Sequence, residues 1–289
     1  MNASTTVSDV IHAHFDGLTR AERQLAESLL QNYPVSGLGS ITTVAENAGV
    51  STPTVARMVQ KLGYKGYPEF QAHLHQELEA TISNPIAKHD RWAANAPNRH
   101  ILNRFAEAVM ANLRNSLGEL RTATFDEAAR LIGDRHRSIY FVGGRITGAL
   151  AEYFFTHMQV IRPRTTLMSS NASSWPQHVL NMQDGDVLVI FDIRRYEADL
   201  TTLAEVARAN GVQIIVFTDQ WMSPVAQHAR HCFKLHIEAP SAWDSSVVML
   251  FVVEALIEAV QSSSWDETRE RMNTLEGLFE QARLFRKPR

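Results

Sequence analysis

Short apolar runs that alternate with helical stretches constrain the fold of this 289-residue chain more than any other feature. Four such runs follow residue 100, each with the length of a strand and together rich in Val, Ile and Phe: SIYFVG, DVLVIF, VQIIVF and CFKLHI. A chain that alternates strands and helices in this way forms a parallel sheet covered by helices. Residues 101–262 are therefore predicted to form an α/β domain with a parallel sheet flanked by helices.

The first 80 residues have a different pattern and are predicted to form an all-α domain. The segment LTRAERQLAESLLQNY, residues 18–33, places its apolar residues on one helical face, and Pro34 follows it. Residues 81–100 contain two prolines and several polar side chains, which indicate a linker. Residues 263–289 have an apolar stripe at helical spacing, which predicts a C-terminal amphipathic helix used for packing or dimerisation.

The segment ITTVAENAGVSTPTVARMVQKLGYKGYPEF, residues 41–70, has the pattern of a helix-turn-helix. Gly49 suits the left-handed conformation of the tight turn, and Ser51 is a good N-cap for the second helix. Pro53 then stands at an early helical position, where its missing N–H does no harm. In this motif the second helix enters the major groove of double-stranded DNA.

Seven residues on and beside this second helix are the predicted DNA contacts. Val55, Val59 and Leu62 are expected to face inward, which leaves the polar side chains facing outward. Residues 1–80 hold five basic and eight acidic side chains, but 51–67 hold three basic ones and no carboxylate, which makes a local basic patch. The alternative is an ordinary helical hairpin within a bundle. The predicted contacts are Ser51, Thr52, Thr54, Arg57, Gln60, Lys61 and Lys65.

The segment SIYFVGGRITGALAEYF predicts a strand, a glycine-rich turn and a helix. Gly143 and Gly144 allow a tight turn, and Thr147 lies near a helix N-terminus, where free N–H groups favour an anion. The alternative is a turn that only lets the helix pack on the strand. The dinucleotide fingerprint G-x-G-x-x-G is absent, so no nicotinamide or other cofactor is predicted.

A second strand, in GDVLVIFDIRRYEADL, runs directly into Arg194, Arg195 and Tyr196. With Arg145, this would place three guanidinium groups at the carboxyl ends of two strands, where open α/β sheets bind ligands. Two interpretations remain open. One is a pocket for a carboxylate or a phosphate, and the other is a subunit interface or an internal ion-pair network with Asp192, Glu197 and Asp199. The predicted ligand contacts are Gly143, Gly144, Arg145, Thr147, Arg194, Arg195 and Tyr196.

Composition narrows the remaining classes of protein. No apolar run reaches the roughly 18 residues that a membrane span needs, and the start of the chain lacks the pattern of a signal peptide. With a single cysteine, Cys232, these features predict a cytoplasmic protein without a membrane partner. No spacing of histidines around Cys232 matches a zinc site, so no metal is predicted.

Taken in order, these motifs resemble the RpiR family of bacterial transcriptional regulators. The resemblance runs through LTRAERQLAESLL and VAENAGVSTPTVARMVQKLGYKGYPEFQ, and the C-terminal half looks like a sugar isomerase (SIS) domain through IYFVGGRITGALAEYF, DGDVLVIFDIRRY, GVQIIVFTDQWMSPVAQHA and WDSSVVMLFVVEALIEAV. The resemblance implies a homodimer or tetramer that binds operator DNA, for example as a repressor, and changes its affinity when the SIS domain takes up a metabolite.

The chain departs from the phosphosugar-binding SIS pattern in both loops. Such domains usually have a G-x-G-x-S turn and an S-x-S-G-x-T loop whose hydroxyls and N–H groups hold the phosphate. Here the second loop has no serine, threonine or glycine, and charged side chains stand in their place. The hypothesis from sequence is therefore a small anionic effector, with a carboxylate favoured over a phosphorylated sugar.

Two other classes of function compete with a regulator that has no enzymatic activity. A SIS-type sugar-phosphate isomerase would need a base beside the substrate, and Glu197 and Asp192 are the local candidates. Neither has an obvious acid partner in these loops. The third class is an interaction module that uses the helical domain for protein contacts.

Overall fold

The computed structural model describes residues 6–31, 33–82, 85–86, 88–89 and 100–284. The chain forms two compact units, Met1–Lys88 and His89–Arg289. The predicted linker over 81–100 lies largely outside the described residues, and the division between the units falls within it.

The first unit is helical in the part of the chain that the structure describes. Its helices are α1 (Val7–His14), α2 (Arg20–Gln31), α3 (Ile41–Asn47), α4 (Thr52–Lys61) and α5 (Tyr67–Ile82). Helix α1 begins with a reciprocal capping box in which the Thr6 side chain accepts from the Asp9 N–H and the Asp9 carboxylate accepts from the Thr6 N–H. Helices α2, α4 and α5 pack together in a core that includes Leu25, Val55 and Phe70, all of them buried.

The turn between α3 and α4 has the geometry that the sequence predicts. Gly49 adopts φ +64°, and the Val50 N–H donates to the Ala45 carbonyl at 2.9 Å, which ends α3. Ser51 then caps α4, because its hydroxyl accepts from the Thr54 N–H. The helix-turn-helix is therefore formed by local backbone chemistry as well as by its core.

The second unit contains five parallel strands. They are β1 (Ile139–Gly143), β2 (Thr165–Leu167), β3 (Val187–Phe191), β4 (Gln213–Asp219) and β5 (His231–Leu235), in the spatial order β2-β1-β3-β4-β5. The helices of this unit are α6 (Ile101–Glu119), α7 (Thr122–Gly133), α8 (Gly148–Ile161), α9 (Trp175–Asn181), α10 (Ala198–Ala209), α11 (Val247–Ser263) and α12 (Trp265–Ala282). The predicted α/β class with a helix-flanked parallel sheet is confirmed.

Helices cover both faces of the sheet. One face carries Tyr140 and Val142 of β1 and packs against α9 and α10. The other carries Phe141, whose ring lies 5.2 Å from the ring of Phe154 in α8. Across β3, β4 and β5 three rings on this second face are stacked, with centroids 4.5 and 4.7 Å apart: Phe191, Phe217 and Phe233.

Strand β2 is absent from the runs that the sequence singles out. It has only three residues, Thr165–Leu167, and all three are half-buried at the edge of the sheet. Its presence matters for function, because the chain passes from β1 to β2 on one side and then to β3 on the other. The strand order therefore reverses between β1 and β3, and in open α/β sheets ligands bind at such a reversal, outside the carboxyl ends of the strands.

The C-terminal amphipathic helix predicted over 263–289 corresponds to α12 within the described residues, which end at 284. It packs against α8 and α11, and its apolar stripe is only partly covered, since Leu278 is 54% exposed. No single helix in the described ranges is long and apolar enough to cross a membrane. Helices α11 and α12 pass that test only together, as a pair bent by 100°.

Candidate functional site

Helix α4 presents most of its predicted DNA contacts to solvent. Ser51, Arg57, Gln60, Lys61 and Lys65 are exposed, and Thr52 is half-buried. We call the exposed set formed by Ser51, Arg57, Gln60 and Lys65 the α4 surface. Within the described part of 51–67 the surface carries no carboxylate, so its basic side chains give it a positive potential suited to phosphates.

The prediction that Thr54 faces outward is wrong. Its side chain is buried, with 7% of its surface exposed, and its hydroxyl lies 2.9 Å from the Ser51 hydroxyl. The reason is helical geometry, because Thr54 is one turn before Met58, which is fully buried in the core. Thr54 thus belongs to the cap and inner face of α4.

Lys61 is exposed but is held by the body of the helical unit. Its Nζ donates to the carbonyl of Gly17 at 2.7 Å and to the carboxylate of Glu22 at 2.9 Å. Burial raises the pKa of Glu22, but hydrogen bonds from the Thr19 N–H and from Lys61 outweigh burial and leave that pKa lowered. Lys61 therefore ties α4 to α2, which the sequence did not show because Glu22 lies 39 residues away.

Two loops border the crevice between the carboxyl ends of β1 and β3. We call residues 144–147 the β1 loop, residues 192–197 the β3 loop and the space between them the β1–β3 crevice. The strands are paired throughout, with Gly143 opposite Phe191. The expectation that these two strand ends are neighbours is confirmed.

Gly143 at the end of β1 and Gly144 at the start of the β1 loop are both required by close contacts. A Cβ on Gly143 would lie 2.7 Å from the backbone of Thr147, and a Cβ on Gly144 would lie 2.7 Å from Oε1 of Glu197. The Gly144 N–H donates to the carbonyl of Phe191 at 3.2 Å. The glycines thus serve the close packing that was the alternative interpretation.

Thr147 and Arg145 of the β1 loop differ in burial. The Thr147 hydroxyl is buried and donates to the Phe191 carbonyl at 2.7 Å, so it joins the loop to β3. Arg145 is exposed, and its backbone N–H donates to Glu197 Oε1 at 2.8 Å.

For Arg194 the structure shows the internal network, one of the two interpretations left open by the sequence. Its Nε and Nη2 lie 2.6 and 3.1 Å from the two oxygens of Asp244, and its side chain is only 7% exposed. Its guanidinium also stacks over the ring of Trp221, 4.3 Å from the centroid. These carboxylate partners, Asp244 and, at 3.7 Å, Glu238, are not among those that the sequence offered, which were Asp192, Glu197 and Asp199.

Tyr196 also turns inward. Its hydroxyl donates to Asp219 at 2.7 Å, and burial together with that carboxylate raises its pKa. Asp219 is completely buried and also accepts from the backbone N–H groups of Arg194, at 2.7 Å, and Trp221, at 3.0 Å. Burial raises the pKa of Asp219 despite these hydrogen bonds. Asp219 therefore fixes the position of the β3 loop through its hydrogen bonds to Arg194 and Tyr196.

Asp192, the first residue of the β3 loop, is a second buried carboxylate. It accepts from the Ser223 hydroxyl, and its other oxygen lies 3.4 Å from the Glu197 N–H. Burial raises the pKa of Asp192 to about 6, against the effect of the Ser223 hydrogen bond. Of the predicted ligand contacts in this loop, Arg195 alone is exposed, at φ +62°.

Sequence reasoning missed the residues that shape this loop: Asp219, Trp221, Ser223, Glu238 and Asp244. They come from the ends of β4 and β5 and from the segment before α11, 23 to 50 residues away from their partners in the loop. One local signal existed, since an acidic residue at the end of a buried strand, Asp219, requires a partner. The region between the two loops combines two exposed arginines with the Arg145 N–H, which donates to Glu197.

Two family models match the chain. The helix-turn-helix domain of the rpiR family matches residues 5–81, and the SIS domain matches residues 132–259. Among curated proteins, the HTH-type transcriptional regulator HexR of Pseudomonas aeruginosa is 28% identical over 264 residues, covering 86% of this chain and 87% of its own length.

Two solved structures share the fold. The sugar isomerase domain of an RpiR transcription factor from Sphaerobacter thermophilus has a TM-score of 0.56 at 20% identity, over 61% of this chain and 97% of its own. The NanR protein of Vibrio vulnificus, solved in complex with ManNAc-6P, has a TM-score of 0.55 at 15% identity, over 97% of this chain and 99% of its own.

Proposed function

This chain belongs to the RpiR family of DNA-binding transcriptional regulators, and from that premise we propose that an anionic metabolite in the β1–β3 crevice controls its affinity for operator DNA. The observation that carries the proposal is the pair of exposed guanidinium groups, Arg145 and Arg195, which come from the two loops at the reversal of strand order. A ligand that binds between the loops contacts both of them and can alter their spacing.

The DNA half of the proposal rests on the α4 surface. Arg57 and Gln60 lie on the solvent side of the second helix of the motif, and Ser51 lies at its N-terminus. In the docking mode of the motif these positions face the major groove and the adjacent phosphates. The basic patch of one chain is small, so we propose that a dimer or a tetramer binds two half-sites and doubles the contact.

The effector belongs to the class of small metabolites that carry a carboxylate or a phosphate. Two exposed arginines support either group, because a guanidinium binds both with paired hydrogen bonds. The ManNAc-6P complex of Vibrio vulnificus NanR, which shares the fold, supports a phosphorylated sugar. The inward position of Arg194 removes one of the three guanidinium groups on which a preference for a carboxylate rests. The two ligand classes are therefore tested side by side.

The effector half is tested with the full-length protein and a duplex selected by it from random DNA. Fluorescence polarisation of the labelled duplex is measured while sugar phosphates and small di- and tricarboxylates are added. We expect one compound to change DNA affinity and to raise the melting temperature of the protein by mass action. The concentration required should increase roughly tenfold in Arg195→Ala, the size of one lost charge-assisted contact.

The control variant is Arg208→Ala. Arg208 is an exposed arginine in the last turn of α10, the helix that follows the β3 loop. It should respond to the compound like the wild-type protein. Equal responses of Arg195→Ala, Arg145→Ala and Arg208→Ala would remove the crevice from the proposal, and a full panel without any response would remove the effector.

The DNA half is tested by Arg57→Ala against the same duplex. Loss of a base or phosphate contact in each subunit should weaken binding by roughly tenfold or more. Arg20→Ala provides the matched control, because Arg20 is an exposed arginine at the start of α2, outside the helix-turn-helix. If the two variants bind DNA equally well, α4 is not the recognition helix.

A further inference from the structure

The carboxylate of Glu197 lies against the backbone of the β1 loop. Its Oε1 accepts the backbone N–H of Arg145 at 2.8 Å. The same oxygen lies 2.7 Å from the position that a Cβ on Gly144 would occupy. The absence of a side chain at Gly144 therefore leaves a cradle beside a backbone donor, and a carboxylate of this chain sits in that cradle.

Glu197 does not use this carboxylate for its own helix. It is the N-cap residue of α10, but its side chain makes no capping hydrogen bond. The carboxylate crosses to the neighbouring loop, while the Glu197 N–H lies 3.4 Å from the buried Asp192. The backbone of Glu197 is thus held by Asp192, and its side chain extends into the β1–β3 crevice.

The contact lies at the surface of the crevice. Glu197, Arg145 and Arg195 are all exposed, so a solute can approach the carboxylate. The oxygen of a bound carboxylate or phosphate accepts from a backbone N–H in the same way as a glutamate oxygen does. Two such acceptors cannot share the space that a single Cβ would fill.

We infer that Glu197 is a built-in competitor for the acid group of the effector, which must displace it from the Arg145 N–H to bind. This inference rests on the proposed function of the crevice. This competition lowers the affinity of every anion by the same factor, because each anion must first displace the Glu197 carboxylate from the Arg145 N–H. Only a metabolite with further contacts then binds well, such as one whose other groups reach the guanidinium groups of Arg145 or Arg195.

The test compares anion binding by the full-length wild-type protein, Glu197→Ala and a matched control, Asp199→Ala. Asp199 is an exposed carboxylate in the first turn of α10, so its removal changes the charge near the crevice equally. Inorganic phosphate is the probe, and its affinity is measured by isothermal titration calorimetry. We expect Glu197→Ala to bind phosphate on the order of fivefold more tightly, which corresponds to release of one hydrogen bond, and Asp199→Ala to show a clearly smaller gain.

A second variant tests whether the gain in phosphate affinity arises at the space beside Gly144. In Glu197→Ala with Gly144→Ala, the added methyl group re-occupies the emptied cradle, so phosphate affinity should return to the wild-type value. A gain that persists in the double variant comes from elsewhere and overturns the inference. Thermal melting of each variant verifies that it is folded.

The outcomes separate the inference from the proposed function. Glu197→Ala and Asp199→Ala could bind phosphate equally while the wild-type protein still responds to its metabolite through Arg195. That result would overturn the role of Glu197 as a competitor and leave the proposed effector site in the crevice intact. Weaker phosphate binding by Glu197→Ala would show that Glu197 supports binding, which also overturns the inference. If none of the proteins binds phosphate and the metabolite panel gives no response, both are overturned.

Discussion

Helix α4 and the β3 loop each hold one exposed and one internally bound basic side chain, but the two internal pairs differ in depth. The side chain of Lys61 is 41% exposed in its pair with Glu22, whereas Arg194 and Asp244 are 7% and 11% exposed. A surface pair contributes little and can exchange its partner, while a buried pair cannot lose one member without leaving a charge unpaired. Lys61 can therefore exchange its partner, whereas Arg194 is part of the fold.

The largest effect is expected from Arg194→Met. This change leaves Asp244 without its guanidinium partner in a buried position and should lower the free energy of unfolding by about 3–5 kcal/mol. Urea denaturation followed by circular dichroism measures the loss. The control is Arg195→Met, at the adjacent exposed position, which should stay within about 0.5 kcal/mol of wild type. A stable Arg194→Met protein would place Arg194 back among the residues free to bind an effector.

Asp192→Asn sharpens the comparison by removing a buried charge whose partner is a hydroxyl and not a cation. Burial raises the pKa of Asp192 from 3.8 to about 6, so the folded protein holds a proton that the unfolded chain releases. Stability is therefore lost as the pH rises from about 4 to 6. The asparagine variant escapes this loss and should be more stable than wild type above pH 6, by up to about 3 kcal/mol.

Denaturation at pH 4 and at pH 7.5 checks the sign for Asp192→Asn. The advantage of the variant should shrink toward zero at pH 4, where Asp192 is protonated in the folded protein. A variant that is less stable than wild type at pH 7.5 would mean that the Ser223 hydroxyl and the Glu197 N–H stabilise the carboxylate more than burial penalises it.

The smallest effect is expected from Lys61→Met. The Lys61 side chain is 41% exposed in its pair with Glu22, so the free energy of unfolding should fall by less than about 1 kcal/mol. Removing a cation beside the α4 surface should also reduce the salt dependence of DNA binding, by about one unit in the slope of log affinity against log salt. A loss of stability as large as that of Arg194→Met would show that depth does not distinguish the two pairs.

The sequence predicted the fold well where a periodic pattern reports burial. Strands β1, β3, β4 and β5 are apolar runs, and the helix-turn-helix has its glycine turn and serine cap at the expected positions. Strand β2 was not predicted, because its three half-buried residues form no periodic pattern. In α4, spacing identified Arg57 and Gln60 as exposed, but it failed at Thr54, on the border of the inner face, and Thr52 is half-buried.

The candidate crevice was predictable only in part. That the ends of β1 and β3 meet follows from parallel pairing, and the exposed positions of Arg145 and Arg195 agree with the expectation. The inward turn of Arg194 was not visible, because a loop has no period and its direction depends on Asp244, 50 residues further along the chain. Backbone geometry contributes as well, since Arg194 and Arg195 have φ values of +28° and +62°.

The stacked rings of Phe191, Phe217 and Phe233 have a consequence for the time scale of the response. They join β3, β4 and β5 into a stiff floor, and amides in such a buried sheet exchange with solvent only on rare, near-global opening. Arg145 and Arg195 in the loops above this floor are exposed and lack such packing, and exposed loop residues generally move within nanoseconds to microseconds. If the proposed effector binds between these loops, we therefore expect it to enter and leave without opening of the sheet, many times during the life of one folded molecule.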